Sequence, residues 1–205
     1  MSTDAFVPDL ELWDAWHPAE AATRLANVDV RWYVAAGWAL DLFRGGQTRE
    51  HEDLEIAVPA DDFPAVRRAL ADFEVFVPVG DGLVRSLESL TAGELADTHQ
   101  SWFREPATGR WRFDAFREPS HGETWVCRRD ERLQRPFTDV IQRTQDGIPY
   151  GAPDVVLLYK AKHTREKDEA DFAAVHPLLS PAQRAWLADA LALVHPGHRW
   201  LAQLG

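Results

Sequence analysis

The sequence predicts an α+β fold, with a central mixed or antiparallel β-sheet flanked by helices and a small C-terminal helical lobe. Residues 30–77 show the pattern of strand, helix, strand, helix, strand. The middle of the chain holds short aromatic segments separated by Pro or Gly, and after Pro149 and Gly151 the spacing of apolar residues becomes helical. We therefore expect a first domain over residues 1–148 and a helical lobe over residues 149–205.

Composition places the chain among globular proteins and limits its partners. Its 205 residues, 45% of them hydrophobic, can bury a substantial core, and a single cysteine fits a reducing compartment. No apolar run is long enough to span a bilayer and the N-terminus does not resemble a signal peptide, so we expect a cytoplasmic protein with no membrane partner. The net charge of -11 argues against nucleic acid as a partner and is compatible with a cationic substrate.

Propensity and apolar spacing predict the elements of the first domain, where β-branched and aromatic runs indicate strands. In chain order these are helices at 9–16 and 18–27, a strand at 30–35, a helix at 38–43, a strand at 53–58, a helix at 63–70, a strand at 73–77, and strands at 99–104, 110–116 and 124–128. The last three suggest an antiparallel meander. The lobe is predicted to hold helices at 153–163, 167–176 and 181–194, each beginning near a helix-start signal.

Two acids mark the strand at 53–58. Because side chains alternate along a strand, Asp53 and Glu55 share one face while Leu54 and Ile56 point into the core. Acids at this spacing lie about 7 Å apart along the backbone and can converge on two cations. Oxygen ligands without cysteine favour Mg²⁺ or Mn²⁺. On spacing alone, a solvated sheet edge is the more common explanation of such a pair.

A glycine turn precedes the acidic strand, and a third acid follows it. The strand that ends at Gly37 leads into a helix at Trp38, which presents free backbone N–H groups suited to phosphate. In the segment 110–116, alternation puts Trp111 with Phe113 on one face and Asp114 on the other.

The block GWALDLFRGGQTREHEDLEIAV resembles the signature of the DNA polymerase β-like nucleotidyltransferase superfamily. Within that superfamily it is most similar to the aminoglycoside and lincosamide nucleotidyltransferases, the group of aminoglycoside adenylyltransferase-like proteins. The residues that carry the resemblance are Gly37, Trp38, Ala39, Asp41, Arg49, His51 and Asp53. WRFDAFRE around Asp114 is similar to the family's third-acid strand, and residues 152–172 are similar to the C-terminal helical segment of aminoglycoside-type members.

The resemblance implies a Mg²⁺-dependent or Mn²⁺-dependent enzyme that moves a nucleoside monophosphate from a nucleoside triphosphate, such as ATP, to a hydroxyl group of a small acceptor such as an aminoglycoside-like antibiotic, with release of pyrophosphate. Asp53 and Glu55 would hold the metal ions, and Asp114 would either deprotonate the acceptor or complete the metal coordination. The turn at Gly37 and Trp38 would bind the phosphates, helped by Arg49 or Lys160.

Two departures from the family pattern keep other functions open. Ala36 stands where the family's turn has its leading glycine, and Glu55 stands where the second aspartate is usual. A weak or inactive nucleotide sensor on the same fold is therefore one alternative, and modification of a protein or tRNA is another.

Several charged residues of the block have structural interpretations as well. Asp41 is expected to bond to Arg49 or to a backbone amide. The basic run that includes Lys160 would ordinarily be a solvated face. Asp168 and Asp171, three residues apart, could bind an ammonium group, although stabilising the start of a helix is the simpler role for Asp168.

Overall fold

The computed structural model describes residues 5–205 and shows an α+β protein. Its strands are β1 (Tyr33–Val34), β2 (Glu55–Pro59), β3 (Glu74–Gly80), β4 (Leu83–Ser86), β5 (Trp102–Glu105), β6 (Arg110–Glu118), β7 (Ser120–His121), β8 (Thr124–Val126), β9 (Gln134–Pro136), β10 (Ile141–Arg143) and β11 (Pro149–Gly151). Its α-helices are α1 (Pro18–Arg24), α2 (Ala36–Arg44), α3 (Phe63–Ala69), α4 (Ala92–Ala96), α5 (Phe137–Val140), α6 (Pro153–Lys160), α7 (Glu166–Val175), α8 (Pro181–Val194) and α9 (Leu201–Leu204). Among residues 5–205, no helix is long and apolar enough to cross a membrane.

The chain forms two compact units. The first contains His51–Glu118 and the described part of Met1–Trp32; the second contains Tyr33–Glu50 and Pro119–Gly205. Helices α6 to α9 all belong to the second unit, together with α2 and the short strands β7 to β11. The boundary after residue 148 stays a prediction.

The first unit is built on a mixed sheet with the strand order β2-β6-β5-β3-β4. Strand β2 is parallel to β6, and the β6–β5, β5–β3 and β3–β4 pairs are antiparallel. The predicted α+β class with a mixed sheet is therefore confirmed. In the parallel pair Glu55 lies opposite Asp114, so both side chains project from the same face of the sheet.

A bulge changes which residues share that face. Phe103 pairs with Phe113, but the next residue of β5, Arg104, pairs with Trp111, so Arg112 has no partner in the register. Because the bulge adds one residue to β6, the β6 side chains on the N-terminal side of the bulge lie on the opposite face from the one that simple alternation predicts. The prediction that Trp111 and Phe113 share a face is therefore wrong, and Trp111 lies on the face of Asp114.

Aromatic side chains cover both faces of this sheet. On one face Phe103 stacks on Phe113 with ring centres 4.3 Å apart, and Trp16 stacks on Phe113 at 4.9 Å. On the other, the face that carries Asp114, Trp102 meets Trp111 edge-on at 5.6 Å. Burial of this aromatic area on both sides stabilises the strands that position the acids.

The predicted helix over residues 9–16 is wrong. Leu10–Leu12 form a single 3-10 turn, after which the chain runs parallel to the start of β6. The Asp14 and Trp16 amides donate to carbonyls of Trp111 and Arg112, both at 3.0 Å. Pairing with a neighbouring strand satisfies the same backbone groups that a helix would, and it also lets the tryptophans reach the core.

The second unit has two small sheets and a helical layer. Strand β11 is parallel to β1 and antiparallel to β10, while β8 lies between β7 and β9. The predicted third strand of the meander is thus in a different sheet from β5 and β6. Helix α6 packs against α2 and α8, and Trp200 stacks on Phe172 with ring centres 4.2 Å apart.

Candidate functional site

Two carboxylates, those of Glu55 and Asp114, lie on one face of the sheet in the first unit, and Asp53 lies just before them in the chain. Glu55 begins β2, opposite Asp114 on β6, and neighbouring strands are about 4.8 Å apart. Asp53 is two residues before Glu55, just outside the strand, and both are half-buried. The Asp114 amide donates to the Leu54 carbonyl at 2.8 Å, which fixes the register beside the acids.

Both oxygens of the Asp114 carboxylate accept hydrogen bonds. Its side chain is buried, at 2% exposure. Oδ2 accepts a hydrogen bond from Gln100 Nε2 at 2.5 Å, and Oδ1 accepts one from the Ser101 amide at 3.1 Å. Sequence reasoning placed Gln100 and Ser101 in a strand but gave them no role. The signal that could have found them is the antiparallel pairing of that strand with the strand of Asp114.

A hard divalent cation suits this set of donors. Asp53, Glu55 and Asp114 offer carboxylate oxygens, which are the ligands that Mg²⁺ prefers. Within residues 5–205, no three His, Cys, Asp or Glu side chains converge as ligands of one ion. The residues fit Mg²⁺ by the type of their donor atoms, and Glu55 and Asp114 share a face of the sheet.

Arg117 lies across the sheet from Asp114. It is buried, at 6% exposure, and its guanidinium donates only to neutral acceptors in residues 95–101. Burial lowers the pKa of Arg117 from its usual value, and the negative charge of Asp114 opposes that shift. The two buried charges are therefore coupled through the sheet.

In the second unit, the glycine turn leads directly into α2. Gly37 and Trp38 are buried in the first turn of this helix, and the residue before it, Ala35, has no side-chain cap. Ala36 has a φ of 48°, in the left-handed region. That region costs a residue with a Cβ about 1–2 kcal/mol, so the backbone at this position is one that glycine adopts more easily.

Ala36→Gly is expected to raise the free energy of unfolding by about 1 kcal/mol, because relief of the left-handed strain exceeds the entropy that glycine adds to the unfolded chain. Urea denaturation measures this change. The matched control is Ala39→Gly, in the interior of the same helix, which should instead lose about 1 kcal/mol. A loss of stability in Ala36→Gly would contradict the strain.

Asp41 closes the loop that follows α2. It is buried and accepts hydrogen bonds from the Thr48 hydroxyl at 2.5 Å and the Thr48 amide at 3.1 Å. The predicted bond to a backbone amide is confirmed. Arg49 forms an ion pair with Asp171, at 3.5 Å.

Lys160 lies in an ion-pair cluster. Its side chain is 8% exposed and its ammonium is 2.9 Å from carboxylate oxygens of both Asp168 and Asp171. Because Asp171 also pairs with Arg49, the structure joins the two predicted phosphate-binding cations through one carboxylate. The predicted solvated face is thus wrong for Lys160, whereas phosphate binding by Lys160 and Arg49 stays a prediction.

Asp168 anchors this cluster at the start of α7. It accepts from the Arg165 amide at 3.1 Å, as a helix-start residue does, and from the Arg165 and Lys160 side chains. Burial alone would raise the pKa of Asp168, but the hydrogen bonds from Arg165 and Lys160 outweigh it and hold that pKa well below its usual range. The carboxylate is therefore ionised at neutral pH.

Part of the chain matches the model of a known protein family. Residues 19–110 match the family model of aminoglycoside-2″-adenylyltransferase. The matched segment includes the turn at Gly37 and the acids Asp53 and Glu55, and it ends four residues before Asp114. No curated protein matches the sequence.

Solved structures share the fold. The lincosamide antibiotic adenylyltransferase LnuA, solved with lincomycin bound, has a TM-score of 0.54 at 16% identity, over 78% of this chain and 95% of its own. ANT(2″)-Ia, solved with adenylyl-2″-tobramycin, has a TM-score of 0.56 at 9% identity, over 85% of this chain and 95% of its own. At such identities the likeness shows the fold, which is that of nucleotidyltransferases.

Proposed function

We propose that this chain, whose residues 19–110 match the family model of aminoglycoside-2″-adenylyltransferase, transfers a nucleoside monophosphate from a nucleoside triphosphate to a hydroxyl group of a small antibiotic. The observation that supports this proposal is the register of Glu55 opposite Asp114 in the parallel pair of β2 and β6, with Asp53 two residues before Glu55.

Each acid has a distinct part in the proposed reaction. Asp53 and Glu55, half-buried beside each other, would hold Mg²⁺ or Mn²⁺. When bound, the metal would offset the charge that develops on the transferred phosphoryl group and on the leaving pyrophosphate. Asp114 would accept the proton of the attacking hydroxyl, or else serve as a further ligand.

The proposed transfer is a single displacement at the α-phosphorus of the nucleotide. The acceptor oxygen forms a bond to the α-phosphorus, the bond between that phosphorus and the bridging oxygen to the β-phosphorus breaks, and pyrophosphate leaves. The hydroxyl proton passes to the Asp114 carboxylate. The nucleotide phosphates would be bound by the backbone at Gly37 and Trp38 and by the cations Arg49 and Lys160.

The acceptor is proposed to be a hydroxylated antibiotic. The two solved structures that share the fold hold lincomycin and adenylyl-2″-tobramycin. The net charge of -11 favours a cationic acceptor such as an aminoglycoside, because an acidic surface attracts polycations.

Release of pyrophosphate is the direct test. We expect metal-dependent turnover with at least one of ATP, GTP, CTP and UTP and at least one member of a panel of aminoglycosides and lincosamides. Asp114→Asn is expected to abolish that turnover while still binding the nucleotide. Absence of both turnover and metal-dependent nucleotide binding in the unmodified protein would contradict the proposal.

A nucleotide sensor is the second candidate, favoured by the strained Ala36 at the turn and by the absence, among the described residues, of a preformed group of three ligands. Calorimetry combined with a product assay distinguishes the sensor from the enzyme. Metal-dependent binding of a triphosphate with no product on any acceptor, in both the unmodified protein and Ala36→Gly, would select the sensor.

A further inference from the structure

The segment before β5 is tied to β6 by main-chain and side-chain bonds. The Ala115 amide donates to the Ser101 carbonyl at 2.8 Å, and the Arg117 amide donates to the His99 carbonyl at 2.7 Å. These bonds continue the antiparallel pairing of β5 and β6 beyond the named end of β5. Residues 99–101 are thereby held alongside the stretch of β6 that carries Asp114.

Alternation sends neighbouring side chains of this segment to opposite faces of the sheet. Gln100 lies on the face of Asp114 and donates to its Oδ2, while the Ser101 side chain lies on the opposite face and accepts from Arg117 Nε at 3.1 Å. The Ser101 amide meanwhile donates to Asp114 Oδ1. One dipeptide thus connects the acid on one face to the arginine on the other.

Arg117 also donates hydrogen bonds to residues that precede Ser101 in the chain. Nη1 donates to the Leu95 carbonyl at 2.7 Å, and Nη2 donates to Thr98 Oγ1 at 2.7 Å and to the Gln100 carbonyl at 3.1 Å. A buried guanidinium with a fork of fixed donors is suited to joining several acceptors rigidly. None of these acceptors is charged, so the arginine organises a loop and does not serve a surface ion pair.

We propose that Gln100 and Ser101 are positioning residues for Asp114 and that Arg117 positions them in turn. The pair of donors fixes the direction of the Asp114 carboxylate, and Arg117 keeps the donors in place from the other side of the sheet. This inference rests on the proposed function for its catalytic consequence, but its structural consequence can be measured without turnover.

Gln100→Met is the decisive variant, because it keeps the size of a half-buried side chain and removes the amide that donates to Asp114. We expect kcat to fall by about 10-fold to 100-fold, as is common for residues that orient a reacting group, with KM for the nucleotide unchanged. An unchanged kcat, or a fall in kcat accompanied by an equal rise in KM, would overturn the proposal.

Arg117→Met is expected to produce the same pattern, with Arg117→Lys intermediate. Arg112→Met is the matched control on the same strand, since Arg112 pairs with Asp14 and Glu105 and does not contact the partners of Asp114. Wild-type kcat in Arg112→Met together with a fall in Arg117→Met supports the proposal. An equal fall in both would show a general effect on the strand and overturn the role of Arg117.

A double-mutant cycle of stability separates failure of this inference from failure of the proposed function. Gln100→Met and Asp114→Ala each remove one side of the same hydrogen bond, so we expect the losses of stability in the two single variants to be non-additive in the double variant, as measured by urea denaturation. Such coupling in a protein without turnover supports the positioning and counts against the enzyme. Additive losses overturn the positioning, even where turnover is present.

Discussion

Asp53→Asn is expected to lower kcat by about 1,000-fold while the protein stays folded. In the proposed reaction Asp53 holds the metal that offsets charge on the α-phosphoryl group, and that stabilisation is worth several kcal/mol. Loss of about 4 kcal/mol of it corresponds to this factor in rate. Steady-state release of pyrophosphate measures the change, and a titration with Mg²⁺ should show that more metal is needed for half-maximal rate.

Stability provides an internal check on the same variant. Because Asp53→Asn keeps the size of a half-buried side chain that lies outside β2, we expect a cooperative urea transition for this variant, so that its loss of rate does not reflect unfolding. The exposed neighbour Glu52 supplies the control, because Glu52→Gln removes a charge one residue away and is expected to retain full activity. Equal losses of rate in the two variants would mean that Asp53 contributes only one negative charge to this region and does not bind the metal.

Local signals in the sequence were sufficient to locate the strand that begins at Glu55. Alternation put Asp53 and Glu55 on one side of a strand, and the structure begins β2 at Glu55 with Leu54 and Ile56 buried. The helix at 181–194 was also predicted with its observed ends, because Ser180 caps it and Pro181 begins it. Such features depend on neighbours in the chain, which a sequence displays directly.

Features set by distant partners were not predictable in the same way. The bulge at Arg112 depends on how β5 meets β6, and it moved Trp111 to the other face. The parallel pairing of β2 with β6, which places Glu55 beside Asp114, joins segments separated by the whole of β3 to β5. Periodicity identifies a strand but does not identify its neighbours or its register.

Lys160 illustrates the same limit in the second unit. The sequence showed a basic run, for which a solvated face is the ordinary expectation, and the resemblance suggested a phosphate ligand. The structure instead puts the ammonium between Asp168 and Asp171, with Asp168 only 1% exposed. Burial of an ion pair requires partners from another helix, which single-sequence spacing does not reveal.

Lys160→Met is expected to lower the free energy of unfolding by about 3 kcal/mol, because removal of one partner leaves buried carboxylates without their cation. Arg165 still pairs with Asp168, and Arg49 with Asp171, so the loss should be at the low end for a buried pair. Chemical denaturation at neutral pH measures it. The double variant Lys160→Met/Asp171→Asn should recover part of the loss, because one of the two carboxylates that lost the Lys160 ammonium is then neutral.

The pH dependence of stability gives a second measurement of the same contacts. The pKa of Asp168 is held below its usual value in the folded state, so its contribution to stability is present above the unfolded value of about 4 and is lost as the pH falls below it. We expect the unmodified protein to lose stability through that range and Lys160→Met to lose less, because part of the contribution is already gone. Parallel curves for the two proteins would contradict the ion pair.

The double variant also separates the structural role of Lys160 from phosphate binding. An ammonium has three donors, and contacts with two carboxylates leave about one for a phosphate oxygen. If Lys160 binds the triphosphate as proposed, KM for the nucleotide should rise by about 10-fold in both the single and the double variant, because a charged hydrogen bond is worth about 1.5–3 kcal/mol. A KM that returns to normal in the stability-restored double variant would assign Lys160 to the fold alone and leave phosphate binding to Arg49 and the turn at Gly37.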